Sequence, residues 1–211
     1  GCGQSLELET GNILIPVDYS REGDECFSSA VIECSFDGNE LKFLRAGNGL
    51  SVPEKRGLCE PSIVRHKGMY YLTLRNDEFG YVAKSEDGLN FTDLKKWCWQ
   101  DGEILPNYNT QQHWMTLGGK LYLVYTRKGA NNDHVFRHRA PLFAAEIENM
   151  RVKRDTEFIV VEERGARLGN FGVTQISENE AAVMAAEWMQ PEGCEKYGSD
   201  NSIFFVTIRT E

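Results

Sequence analysis

The chain has 211 residues, 41% of them hydrophobic, and a formal net charge of −9. That is ordinary globular material with enough apolar content for a sizeable core. The acidic balance excludes a general nucleic-acid binder, which needs a net basic face, and no apolar run reaches the length that spans a bilayer, so neither nucleic acid nor membrane is expected as a partner.

One unit recurs four times: an apolar strand, a glycine or asparagine turn, and a second apolar strand ending in a polar or charged residue. The first copy is Ser5-Leu6-Glu7-Leu8, the turn Thr10-Gly11, then residues 13–18. Residues 29–34 and 41–44 continue it across the turn Asp37-Gly38. The second copy is Ser62-Ile63-Val64-Arg65, Lys67-Gly68, then residues 69–75, followed by strands at 81–85 and from Phe91 toward Trp97 around Glu86-Asp87-Gly88. Asp-Gly between alternating strands is a strong hairpin signal. The third runs through His113-Trp114-Met115-Thr116, Gly118-Gly119 and residues 121–127, with later strands at 142–147 and 158–161. The fourth is Val173-Thr174-Gln175-Ile176, Glu178-Asn179, residues 182–187 and a third strand at 202–208. The turns at Gly11, Gly68, Gly119 and Asn179 lie 57, 51 and 60 residues apart. A period in this range with several strands per repeat marks a β-propeller. Helical periodicity is hard to find.

The expected fold is therefore an all-β propeller of four-stranded antiparallel blades in one domain, 1–211, with blades at roughly 4–56, 57–108, 109–168 and 169–211. The fourth unit lacks an outer strand, because only Arg209-Thr210-Glu211 follow its third. Gly1-Cys2-Gly3 is too short to supply one, and it leads into a strand without a secretory signal. Two arrangements stay open. The chain is the C-terminal part of a five- to seven-bladed propeller lacking its N-terminal blades, or self-associates through open blade edges; or it is a compact ring with one three-stranded blade.

The six cysteines, Cys2, Cys26, Cys34, Cys59, Cys98 and Cys194, form no CxxC pair. Zinc is not expected, and no other metal or cofactor is implied. Asp133 and His134 are adjacent but have no spaced ligand set around them. Cys34, Cys59 and Cys98 read as small apolar packing groups.

A hairpin returns the chain to the rim it left, so the residue before each first strand and the residue after each second strand share a face. That rule gathers Gln4, Asp18, Glu60, Arg75, Gln112, His113, Arg127, Asn170 and Glu187. The loops opening there add Asn76-Asp77, residues 128–139, and Trp188 through Asn201. The stretch 127–139 carries four cations (Arg127, Lys128, Arg137, Arg139) against one acid, Asp133, and holds His134 and His138. Arg164 and Arg167 flank the fourth unit. Arginine forks bind carboxylates in bidentate fashion, and a basic well in an acidic protein steers anions inward. The same residues have structural alternatives: Arg75 with Glu60, or Arg127 with Glu187, as inter-blade ion pairs, and Trp114 and Trp188 as core. His66 reads as a surface residue, whereas His113 is expected to line the site.

Ser85-Glu86-Asp87-Gly88-Leu89-Asn90-Phe91 resembles a shortened Asp-box turn of sialidases. Longer stretches, among them residues 57–62, 71–77, 109–114, 132–139 and 196–202, are similar to sialidase- or neuraminidase-like propellers. That resemblance covers nearly the whole chain. It implies arginines on a substrate carboxylate, a tyrosine nucleophile activated by a glutamate, and an aspartic acid. The matching types here are Arg75, Arg127 and Arg164 or Arg167; Tyr197 or Tyr108; Glu187 or Glu60; and Asp77 or Asp133. The expected function is cleavage of a glycosidic bond beside a sialic or uronic acid. Glu60, His113, Asp133, His134, Glu187 and Tyr197 are the catalytic candidates. Arg75, Asn76, Asp77, Gln112, Arg127, Arg137, Arg139, Arg167, Asn170 and Trp188 are the binding candidates. The alternatives are a non-catalytic carbohydrate-binding propeller and a uronate lyase, for which Gln112, His113, His134, Tyr108 and Arg127 supply the residue types. The partner is an oligo- or polysaccharide with acidic sugars, in a secreted or periplasmic rather than cytoplasmic setting.

Overall fold

The computed structural model describes residues 3–210; Gly1, Cys2 and Glu211, including the cysteine and part of the leading segment considered above, lie outside it. The strands form four antiparallel sheets arranged as a four-bladed β-propeller. The first blade is β1 (Leu6–Glu7), β2 (Ile13–Tyr19), β3 (Ser28–Phe36) and β4 (Leu41–Ala46). The second is β5 (Cys59–His66), β6 (Met69–Arg75), β7 (Tyr81–Ser85) and β8 (Thr92–Lys96). In the third, β9 (His113–Leu117), β10 (Lys120–Tyr125) and β11 (Leu142–Glu148) are completed by two short pieces on one edge of β11, namely β12 (Arg151–Val152) and β13 (Phe158–Val161). In the fourth, β14 (Arg167–Leu168) and β15 (Gly172–Ser177) both pair with β16 (Glu180–Trp188), whose other edge carries β17 (Ile203–Arg209). Among the described residues no strand lies outside β17.

Period-two patterning builds these sheets, since alternate residues of each strand face opposite seams. Three apolar cores fill the three seams between successive blades. Leu14, Val31, Ile63, Leu72 and Leu74 lie between the first and second. Trp97, Trp114, Leu123, Tyr125 and Phe143 lie between the second and third, and Met115, Val124, Leu142, Val183 and Ala185 between the third and fourth. Trp114 is thus a core residue, with its indole nitrogen donating to the Ser62 carbonyl at 2.8 Å.

Gln4 leaves the rim the hairpin rule gave it and ties inner strands together. Its backbone nitrogen donates to Ser62 Oγ at 3.1 Å, its side-chain amide donates to the Trp114 and Val173 carbonyls, and its Oε1 accepts from the Trp114 amide at 2.6 Å. One residue therefore connects β5 through its backbone with β9 and β15 through its side chain. The Asp-box-like turn closes the hairpin between β7 and β8. Asp87 Oδ1 accepts from the Leu89 and Asn90 amides at 2.9 and 2.7 Å, and Ser85 Oγ accepts from the Gly88 amide at 3.0 Å.

Candidate functional site: an arginine-lined cavity

The loops at one rim enclose a cavity of about 500 Å³ lined by Arg56, Arg75, Asp77, Asn109, Arg137, Arg139, Arg167, Asn170 and Trp188. Arg75 ends β6, and Asp77 follows it. Arg137 and Arg139 come from the long loop after β10, Arg167 starts β14, and Trp188 ends β16 opposite Arg167 in register. Three successive blades contribute cations to one mouth.

Two of the five arginines are neutralised locally. Arg56 grips Asp77 through two bonds of 2.6 and 2.9 Å. Arg75 donates to Glu60 Oε2 at 2.8 Å, to Asp77 Oδ1 at 3.1 Å and to Asn109 Oδ1 at 3.1 Å. Burial pushes the Asp77 carboxyl up, but the Arg56 and Arg75 guanidiniums outweigh it and hold the group below its usual range. Arg137, Arg139 and Arg167 form no ion pair among the described residues. Arg139 donates to the Asn109 carbonyl through Nε at 3.0 Å and Nη2 at 2.5 Å. Arg137 reaches Asn109 Oδ1 at 3.5 Å. The Arg167 guanidinium carbon lies over Trp188, 3.6 Å from the ring centre, a cation–π contact. Arg139 and Arg167 are each 4% exposed, and Arg167 Nε and Arg75 Nε are buried without a hydrogen-bond partner. Burial, then the neighbouring charges of Arg75, Arg167 and Arg137, push Arg139 down to about 10. Burial and Arg137 push Arg167 down as well.

The backbone around this mouth is strained. Glu60, Asn109, Arg137 and His138 all have left-handed φ, at 48°, 58°, 59° and 52°. Non-glycine residues in that region cluster at ligand sites because surrounding structure must hold them there. Beside Asn109 and Arg137, the Tyr108 hydroxyl lies 2.6 Å from His138 Nδ1, and His138 Nε2 lies 3.3 Å from Asp133 Oδ1.

Other expected site residues lie elsewhere. Arg127 is drawn away by Glu157, with bonds of 2.8 and 2.5 Å, and stacks over Phe143; its anticipated partner Glu187 is not involved. Glu187 instead accepts from the Asp200 and Ser202 amides, both at 2.9 Å, and pairs with Arg164 at 3.7 Å, so it braces the loop after β16. Arg164 itself binds the Gly198 carbonyl and Asp200. His113 points into the interior, its Nδ1 3.0 Å from Ser62 Oγ, and Gln112 is sealed against the Thr73 hydroxyl at 2.6 Å. Asn76 is buried and donates to the Glu54 and Gly57 carbonyls. His134 pairs with Glu163 at 2.9 Å and packs on Tyr197, and none of the three lines the cavity. Arg56 carries no strand-end signal because it sits three residues before β5, and Asn109 carries none because it lies in the loop four residues before β9. Among the described residues, no group of three or more His, Cys, Asp or Glu side chains is placed to hold a metal ion, and Cys26, Cys34, Cys59, Cys98 and Cys194 are free thiols.

No family model matches the chain, and no curated protein matches it. Solved structures do. A Dyadobacter fermentans protein of unknown function aligns with a TM-score of 0.65 and 17% identity, covering 99% of this chain and 53% of that one. Trypanosoma rangeli sialidase in complex with sialic acid aligns at 0.59 and 16%, covering 96% and 30%. Bombyx mori GH32 β-fructofuranosidase BmSUC1 aligns at 0.60 and 13%, covering 96% and 46%. The chain spans about half the length of the first and less of the others. The likeness shows the fold, a propeller of the kind that sialidase and GH32 glycosidase structures share.

Proposed function

We propose that the protein is a carbohydrate-active propeller that takes the carboxylate of a sialic or uronic acid into the arginine cavity and cleaves the glycosidic bond beside it. The observation that carries this reading is the trio Arg137, Arg139 and Arg167, three guanidiniums without a carboxylate partner among the described residues, beside the half-exposed indole of Trp188. Guanidiniums held in fixed directions take a carboxylate by paired hydrogen bonds, and an exposed indole gives a sugar ring an apolar face to stack on. Asp77 in the lining and Glu60 behind it on Arg75 are the candidate carboxylates for hydrolysis, and the Tyr108–His138 pair, next in sequence to the lining residues Asn109 and Arg137, is the candidate phenol–imidazole couple for elimination.

One observation favours a second reading, a binding module without turnover: Glu60 and Asp77 are both ion-paired to arginine, whereas a glycosidase needs one carboxyl kept protonated. Incubation with sialosides and uronate oligosaccharides separates the readings. Released reducing ends without ultraviolet absorbance indicate hydrolysis, reducing ends together with an unsaturated product absorbing in the ultraviolet indicate elimination, and binding without product indicates the module. Arg139→Gln is expected to weaken binding or kcat/KM by about 10- to 100-fold, the worth of one charge-assisted hydrogen-bonded contact. Failure of every acidic sugar to bind overturns the proposal.

A further inference from the structure

The cavity holds more uncompensated charge than one carboxylate neutralises. Arg56 and Arg75 are matched by Asp77 and Glu60. Arg139 and Arg167 remain, both almost fully buried, and Arg137 stands exposed beside them. A buried charge without a counter-ion is costly, and two buried guanidiniums in one pocket also repel each other. Burial first, and the Arg75, Arg167 and Arg137 charges after it, push Arg139 down, the direction expected of a buried cation without a counter-ion. A monoanion set between the two leaves one buried cation unmatched; two anionic groups match both. The Arg167 Nε–H, buried and without an acceptor, marks a second anchoring point distinct from the Asn109 carbonyl that already occupies Arg139.

We infer that the natural ligand is dianionic within the space of this cavity: an acidic sugar carrying, or directly linked to, a second anionic group, either another carboxylate or a sulfate ester. This rests on the acidic-sugar reading above and narrows its substrate class. Arg139 takes one group, and Arg167, fixed on Trp188, takes the other.

The test is calorimetric titration of the full chain with three disaccharides: unsulfated chondroitin disaccharide, which carries one carboxylate, its monosulfated counterpart, and digalacturonate, which carries two carboxylates. Each is measured at low and at moderate salt. The dianionic ligands are expected to bind about tenfold more tightly than unsulfated chondroitin, and to lose more affinity as salt rises. A preference for the sulfated chain alone assigns the second group to sulfate; equal gains by both assign it to either anion. In Arg167→Gln the tenfold advantage is expected to vanish while unsulfated chondroitin still binds. Arg137→Gln, on the exposed rim, is the companion variant should Arg167→Gln fail to fold, and it is expected to shrink the advantage severalfold. Equal affinity for all three ligands overturns this inference and leaves the acidic-sugar reading standing; absence of binding by all three overturns this inference, and the acidic-sugar reading falls with it when a sialoside fails to bind as well.

Discussion

His113 sits 2% exposed between Ser62 and Phe171, its ring edge-on to the phenyl at 5.0 Å. Burial pushes its pKa from the ordinary 6.5 down to about 4. The folded state therefore holds a neutral ring where the unfolded chain binds a proton. Between those two values the unfolded state binds more protons, so stability is highest above the upper one and falls as pH drops through the window. The loss between pH 7 and pH 5 is roughly 2 kcal/mol. Urea unfolding of wild type and His113→Gln at both pH values checks this: the wild type should lose about 2 kcal/mol more than the variant on acidification. Parallel losses would assign the pH response to other groups. The same residue shows what a strand end conceals. The hairpin rule brings residues to a rim, but the pleat decides whether the side chain faces the mouth or the seam, and for His113 and Gln112 it faces the seam. Arg75 and Asn170 were legible from that rule, Trp188 from the loop that opens beside it, Arg167 from its place flanking the fourth unit, and Arg137 and Arg139 from the charge excess of their loop. Arg127 shared both signals and is nevertheless captured by Glu157, a carboxylate 30 residues away whose position only the folded outer strand fixes.

At the scale of the element, the Asp87 turn couples one hairpin to its neighbouring blade. Burial pushes the Asp87 carboxyl up, but the Asn90 amide and side chain, the Leu89 amide and the Ser85 hydroxyl outweigh it and hold the group far below the ordinary carboxylate range. The turn then presents Leu89 and Phe91 to the seam, where Asn48 of the preceding blade's loop accepts from the Phe91 amide at 2.7 Å. Gly88 is needed twice over: its φ is +77°, and a Cβ there would stand 2.6 Å from Leu14 Cδ1. Asp87→Ala is expected to cost about 2 kcal/mol and Gly88→Val more, measured by chemical denaturation; a loss under about 0.5 kcal/mol in both would mean that the turn folds without its box. Long alternating strands bounded by Asp-Gly or Lys-Gly were legible nearly to the residue, as in β6 and β7. The two-residue pieces β12 and β14 and the short 3₁₀ turns at Phe136–His138, Arg154–Thr156 and Cys194–Tyr197 were not, because so few residues carry no period.

At the scale of the molecule, among the described residues three seams are filled and two outer blade faces remain bare. Along β17, Phe204, Val206 and Ile208 pack against the core, while Ile203 and Phe205 are 74% and 68% exposed and continue into Met184 at 56%. At the other end of the series Phe36, Leu41, Phe43 and Leu44 are exposed, beside a groove that runs along Ile13, Ile15 and Val17. A bare strand edge rich in β-branched and aromatic residues, with Arg209 its single charge, is a template for pairing. Contiguous apolar faces of this kind associate in water. The chain 1–211 is therefore expected to self-associate as its concentration rises, with β17 adding to β17 of a second copy. Phe205→Lys places a charge in that contact without touching the core, because the Phe205 side chain already points outward. Sedimentation velocity should show concentration-dependent dimers for the wild type and monomers for the variant, with the two thermal unfolding transitions alike. A wild type that stays monomeric at every concentration, or a variant that dimerises as well as its parent, would remove β17 from the contact and leave the first blade's bare face as the surface to examine.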